Sequence, residues 1–123
     1  MNPYKHSRFD EEILEAMIYY NANNLESSNK FTLIDARILS LIHSYAYDNK
    51  TFFASNKYLA DKCLTSQPTI QKCINRLIAQ GLISKKVAHV NKHKQRVLIY
   101  NESAVEAFKL WAAPQATTET EYN

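Results

Sequence analysis

Residues 52–83 read F-F-A-S-N-K-Y-L-A-D-K-C-L-T-S-Q-P-T-I-Q-K-C-I-N-R-L-I-A-Q-G-L-I. Two helix starts are written into this run. Ser55 precedes Leu59, Ala60 and Cys63, apolar residues at helical spacing, and its hydroxyl can cap a short helix over about 56–63. Leu64-Thr65 is the break. Ser66 then caps a longer helix over 67–80, with Pro68 in the first turn, where a missing N–H does no harm. Ile70, Cys73, Ile74, Leu77 and Ile78 form its buried stripe. Gly81, the only glycine, stands where that helix must stop, the usual place for a left-handed C′ residue.

Downstream of Gly81 the apolar period changes from 3.6 to 2. Residues 82–90 and 95–101 read as two strands, joined by the polar tip N-K-H-K with no Asn-Gly pair to fix a two-residue turn. Ser103-x-x-Glu106 has the form of a capping box and opens a last helix over 103–112, with Ala104, Phe108 and Trp111 on one side. Upstream, Thr51–Ala54 is short, aromatic and extended-prone, a brief strand. Thr32-x-x-Asp35 is a capping box with Asp in place of the better Glu. Behind it, Ile34, Ile38, Leu41, Ile42 and Tyr45 make a helical stripe. Ile13, Met17 and Tyr20 predict a first helix over 10–20, followed by a polar loop.

The expected architecture is therefore mainly α with a small antiparallel β-sheet. The order of elements is that of a winged helix-turn-helix with extra N- and C-terminal helices. With 123 residues the chain is one domain, expected over 1–113 with a core of about 32–101, and 114–123 reads as a disordered tail.

Charge is unevenly spread. Residues 62–101 hold eight basic residues and no Asp or Glu. The rest of the chain holds seven basic and all twelve acidic residues, a balance of −5 that offsets the block to the net +3. A basic third in an acidic frame points to a polyanion, nucleic acid first. The longest apolar run, Ala16–Tyr20, is too short to span a membrane, and the N-terminal stretch lacks the apolar segment of a signal peptide. Two cysteines without a secretory signal read as reduced thiols, so a cytoplasmic protein is expected.

The run 52–83 also resembles the winged-helix domains of phage and plasmid replication initiators and small helix-turn-helix regulators. The matching residues are Ser55, Leu59, Ala60, Ser66, Thr69, Ile70, Leu77, Gly81, Leu82 and Ile83. The resemblance covers about 32–101 and implies a DNA-binding task. One departure bears on geometry: the family's turn usually holds glycine where this chain has Leu64, which leaves the shape of the turn open. Initiators also carry a further domain, for which this chain has no room.

Removing the buried stripe from the helix 67–80 leaves a polar face. Gln71, Lys72 and Asn75, with Gln67, are the candidates for base contact. Ser66 and Thr69 join Gln67 at the helix start, where hydroxyls and free N–H groups favour phosphate, and Arg76 completes the DNA-binding set. On the hairpin, Lys92, His93 and Lys94 mark the tip, flanked by Lys86 and Arg96, suited to phosphate or minor-groove contact.

Other signals are weaker. His89 and His93 have metal-like spacing only for a helix, so no metal or cofactor is expected. Cys63 and Cys73 are expected to face each other across two helices as core residues, and His43 to be partly exposed. No nucleophile or carboxylate arrangement has recognisable spacing, so no enzyme and no small-molecule substrate are expected. The reading is a double-stranded-DNA-binding protein, a small repressor or an accessory factor for plasmid or phage replication or transfer. Homodimerisation through the helices 10–20 and 103–112 is expected. The alternatives are a winged-helix module that captures a host or replication protein, and binding of RNA or single-stranded DNA, for which the tyrosines are the only hint.

Overall fold

A computed structural model describes residues 3–26 and 28–121, with side chains described for 9–26 and 28–112. The described elements are α1 (Pro3–Ala22), α2 (Leu33–Tyr47), α3 (Asn56–Cys63), α4 (Gln67–Ala79), β1 (Ile83–Val90), β2 (His93–Tyr100) and α5 (Glu102–Glu121). The strands form one antiparallel hairpin. This is the expected winged helix-turn-helix, with α3 and α4 as the central pair, the hairpin as the wing, and α1 and α5 outside. No helix among the described residues is long and apolar enough to cross a membrane.

The caps explain where the central helices begin and end. Thr32 and Asp35 form the capping box of α2 in full. Ser55 accepts from the Tyr58 N–H, and Ser66 from the Thr69 N–H. Gly81, at φ 75°, ends α4 in a Schellman turn. Its N–H donates to the Ile78 carbonyl, and the Leu82 N–H donates to the Leu77 carbonyl. Leu77 and Leu82 are both buried, which closes the turn with an apolar contact. Leu64 adopts the left-handed conformation, φ 54° and ψ 49°, so the turn between α3 and α4 takes at a leucine the backbone conformation that glycine favours.

One core joins these elements. Ile38, Leu39 and Ile42 of α2 meet Ile70, Ile74 and Leu77 of α4, Leu59 of α3, and Ile83 and Leu98 of the hairpin. Ile13 and Met17 of α1 and Val105 of α5 extend it. His43 is half-buried, stacked on Phe9 at 3.7 Å and edge-on to Tyr100 at 5.1 Å, and so ties α1, α2 and the hairpin together.

Several boundaries differ from expectation. α1 begins at Pro3 rather than near residue 10, because proline is tolerated in a first turn and no breaker follows it. The brief strand at 51–54 shrinks to one bridge, Phe52 to Leu98, since only Phe52 of that stretch is buried. α5 begins at Glu102, with the Val105 N–H bonded to the Asn101 carbonyl, so Ser103 lies inside the first turn. Glu106 pairs with Lys109 at 3.0 Å instead of closing a capping box. On α5, Val105 and Ala112 are buried and Phe108 is half-buried against the core, with Trp111 46% exposed. The helix continues past Pro114 to Glu121. The side chains of the expected tail, 114–123, lie outside the described residues.

Candidate nucleic-acid interface

α4 is pinned on its inner face and polar on its outer one. Ile70, Cys73, Ile74 and Leu77 are buried, while Gln67, Lys72 and Asn75 are exposed and Gln71 is half-buried beside them. The start of the helix is capped twice over: Ser66 Oγ accepts from the Thr69 N–H and donates to Thr69 Oγ1 at 2.9 Å.

Arg76, expected at the interface, turns inward. Its Nη1 lies 2.9 Å and 2.7 Å from the two oxygens of Asp35, and its Nε donates to Asn29 Oδ1 at 2.8 Å. Asp35 is fully buried and also accepts from the Thr32 N–H and hydroxyl. The guanidinium therefore anchors α4 to the start of α2, and its cation is already paired.

Arg96 is likewise redirected. It is half-buried; its Nη1 donates to Asn56 Oδ1 at 2.6 Å and its Nη2 to the Ala54 carbonyl at 2.8 Å. Burial lowers its pKa from the usual arginine value, yet a guanidinium stays charged at neutral pH. Asn56 Nδ2 in turn donates to Gln71 Oε1 at 2.8 Å, and Gln71 Nε2 to Asn75 Oδ1 at 2.9 Å. Four side chains from the wing, α3 and α4 thus form one continuous polar chain.

The wing tip is tighter than expected. Val90 pairs with His93, leaving Asn91 and Lys92 as a two-residue loop, both at positive φ (52° and 67°). That is the primed hairpin turn, reached here without glycine because Asn tolerates the left-handed region. Lys92 remains at the tip, while His93 and Lys94 open β2; all three are exposed. Lys94 pairs with His89 and, two residues from Arg96, lies on the same face of the hairpin. Lys86 pairs with Val97 on the opposite face, beside a groove lined by Ile42, Ala46 and Lys50.

The two free thiols have different neighbours. Cys73 is buried 3.9 Å from Thr32 Oγ1 and 3.9 Å from Arg76 Nη1, and burial, with the Asp35 charge adding, pushes its pKa up to about 11. Cys63 is half-buried, its thiol raised by burial and opposed by the charge of Arg37. No group of three or more His, Cys, Asp or Glu among the described residues could hold a metal ion.

Sequence reasoning missed Asn56 and the second task of Asp35. Only the latter left a trace: a capping box built with the shorter acid.

Residues 32–83 match the family described as "Helix-turn-helix domain". No curated protein gives a significant match. Among solved structures, the chain is similar to MepR, a transcription regulator of the Staphylococcus aureus multidrug efflux pump MepA, at 16% identity and a TM-score of 0.50. That likeness covers 92% of this chain and 76% of MepR. By fold, the chain is a winged helix-turn-helix protein, and the part of it that is similar to the helix-turn-helix family is residues 32–83.

Proposed function

We propose that this protein binds double-stranded DNA as a small transcriptional regulator, with α4 in the major groove and the β1–β2 hairpin against the backbone. The observation that carries the reading is the exposed row of Gln67, Lys72 and Asn75 on α4, together with the exposed lysines of the hairpin tip, within forty residues that hold no acid. Amide side chains suit base edges, and lysines on a projecting tip suit phosphates. In this reading Ser66 and Thr69 meet phosphate at the helix start. Lys92, His93 and Lys94 supply the wing's charge, and Arg76 and Arg96 act from behind, through the side chains they hold. Lys86, on the far face, contributes only to the general field.

Regulation is favoured over an accessory role in plasmid or phage replication or transfer. The structural relative MepR is itself a transcription regulator, whereas the replication role rests on sequence resemblance alone. Two copies, meeting through α1 and α5, would read paired half-sites.

The test is anisotropy titration of labelled random and library-selected duplexes across a salt series. A steep loss of affinity with salt, and a tighter class of selected sites, is the expected result. Absence of duplex binding at low salt would transfer the basic face to a protein partner.

A further inference from the structure

The polar chain from Arg96 to Asn75 has a direction, and one residue sets it. A guanidinium has only donors, so the atom of Asn56 that meets Arg96 Nη1 at 2.6 Å must be the carbonyl oxygen. The Asn56 amide nitrogen must then face Gln71, which can answer only with Oε1, at 2.8 Å. That turns Gln71 Nε2 toward Asn75, whose Oδ1 accepts at 2.9 Å. Asn75 is exposed, and its amide nitrogen is left as the outward terminus. Each amide could flip if isolated; in series, behind an arginine, none can flip alone without setting two donors or two acceptors face to face.

From this we infer that Asn56, held by Arg96, is a specificity-setting positioning residue: it fixes Asn75 to present an N–H donor to the base edge it meets. The inference rests on the DNA-binding reading above. In the major groove guanine offers two acceptors, adenine and thymine one each, and cytosine only a donor. Asn75 Oδ1 is already engaged by Gln71, so the two-point adenine contact open to a free asparagine is disfavoured. The base facing Asn75 should therefore be read with guanine first and cytosine last, by about two- to tenfold, the worth of one hydrogen bond.

The substitution Asn56→Asp tests this with almost no change in shape. A carboxylate accepts from Arg96 as before, but it can only accept from Gln71 too. Gln71 must then present Nε2 to residue 56 and Oε1 to Asn75. Asn75 must donate, which leaves its Oδ1 outward.

Two measurements follow. In the DNA-free protein, exchange of assigned side-chain amide protons with water should be slow at Asn56 and Gln71 and fast at Asn75 in the wild type. In Asn56→Asp, Asn75 should become protected. In sites selected from a random duplex library, one position should move from guanine toward a base that donates, cytosine or adenine. Asn56→Leu, which cuts the chain, should flatten preference at that same position and no other. Unchanged exchange at Asn75 in Asn56→Asp would overturn the fixed polarity. Reversed exchange with selected sites unmoved would overturn the specificity role while DNA binding stands. Reversed exchange in a protein that binds no duplex at any salt would overturn the DNA reading, and the specificity role with it, leaving the polarity of the chain intact.

Discussion

Arg76 and Asp35, 41 residues apart, meet at 2.7 Å with the carboxylate wholly buried and the arginine side chain only 13% exposed. This pair fastens α4, the helix with the exposed amide row, to the first turn of α2. The same Asp35 side chain caps α2, so one carboxylate fixes both a helix start and the placement of a second helix.

Removing the arginine alone leaves Asp35 as a buried charge short of its partner. Arg76→Met should cost about 3 kcal/mol of stability, within the range for breaking a buried pair. Urea unfolding of the two proteins measures it. A loss below about 1 kcal/mol would mean that the pair behaves as an exposed one.

The turn between α3 and α4 carries a leucine in a left-handed conformation, 93% exposed. It gains little from burial and bears the steric cost of its Cβ. Leu64→Gly should therefore raise stability by up to ~1 kcal/mol. A lower melting temperature would show that Leu64 gives more by packing than it forfeits by strain.

Several features of the fold were legible because they are local. Ser55, Ser66 and Gly81 each act within a few residues of their own position, and a cap or a left-handed stop can be read from such a neighbourhood. The apolar stripe of α4 follows from period alone. The candidate site was legible only in part. Exposure of Gln67, Lys72 and Asn75 follows from the same period. The fates of Arg76 and Arg96 do not, since their partners lie 41 and 40 residues away. Nothing near Asn56 marks it, as its importance comes from the arginine that reaches it across the fold. On α5, Ala104, Phe108 and Trp111 fit the period about as well as Val105, Phe108 and Ala112; Val105 and Ala112 are buried, while Trp111 rests edge-on against Tyr19 and Tyr20 of α1 and stays partly exposed.

The Cys73 thiol should leave a mark on stability at high pH. Its folded pKa of about 11 lies above the ordinary 9.0, so the unfolded chain loses this proton first. The neutral thiol's contribution is complete below about pH 9 and is lost as pH rises toward 11. Between pH 8.5 and 11 the wild type should lose more stability than Cys73→Ala. The difference isolates Cys73 from Cys63 and Tyr100, whose pKa values are also raised by burial. Parallel curves for the two proteins would mean that the thiol ionises in the fold as easily as outside it.

Helix and wing should separate in their effects on DNA. Asn75→Ala should cost about 1 kcal/mol on the preferred site, the worth of one hydrogen bond, and relax choice at one base pair. Lys92→Ala with Lys94→Ala should weaken all duplexes about equally and lower the salt slope by roughly two, one for each phosphate no longer neutralised. Competition titrations over a salt series give both numbers. If the hairpin pair instead abolishes discrimination between sites, the wing is the reader.

The two-residue turn at Asn91–Lys92 has a practical consequence for anyone engineering this protein. Lys92 sits at φ 67°, where glycine is the default and a side chain costs ~1–2 kcal/mol. A screen that rewards thermal resistance alone would pick Lys92→Gly among its earliest winners. It would also strip the cation at the tip of the hairpin. If the wing meets phosphate as proposed, variants ranked by melting point would then run opposite to variants ranked by retention on DNA, and a campaign guided by the first measure would select against the second.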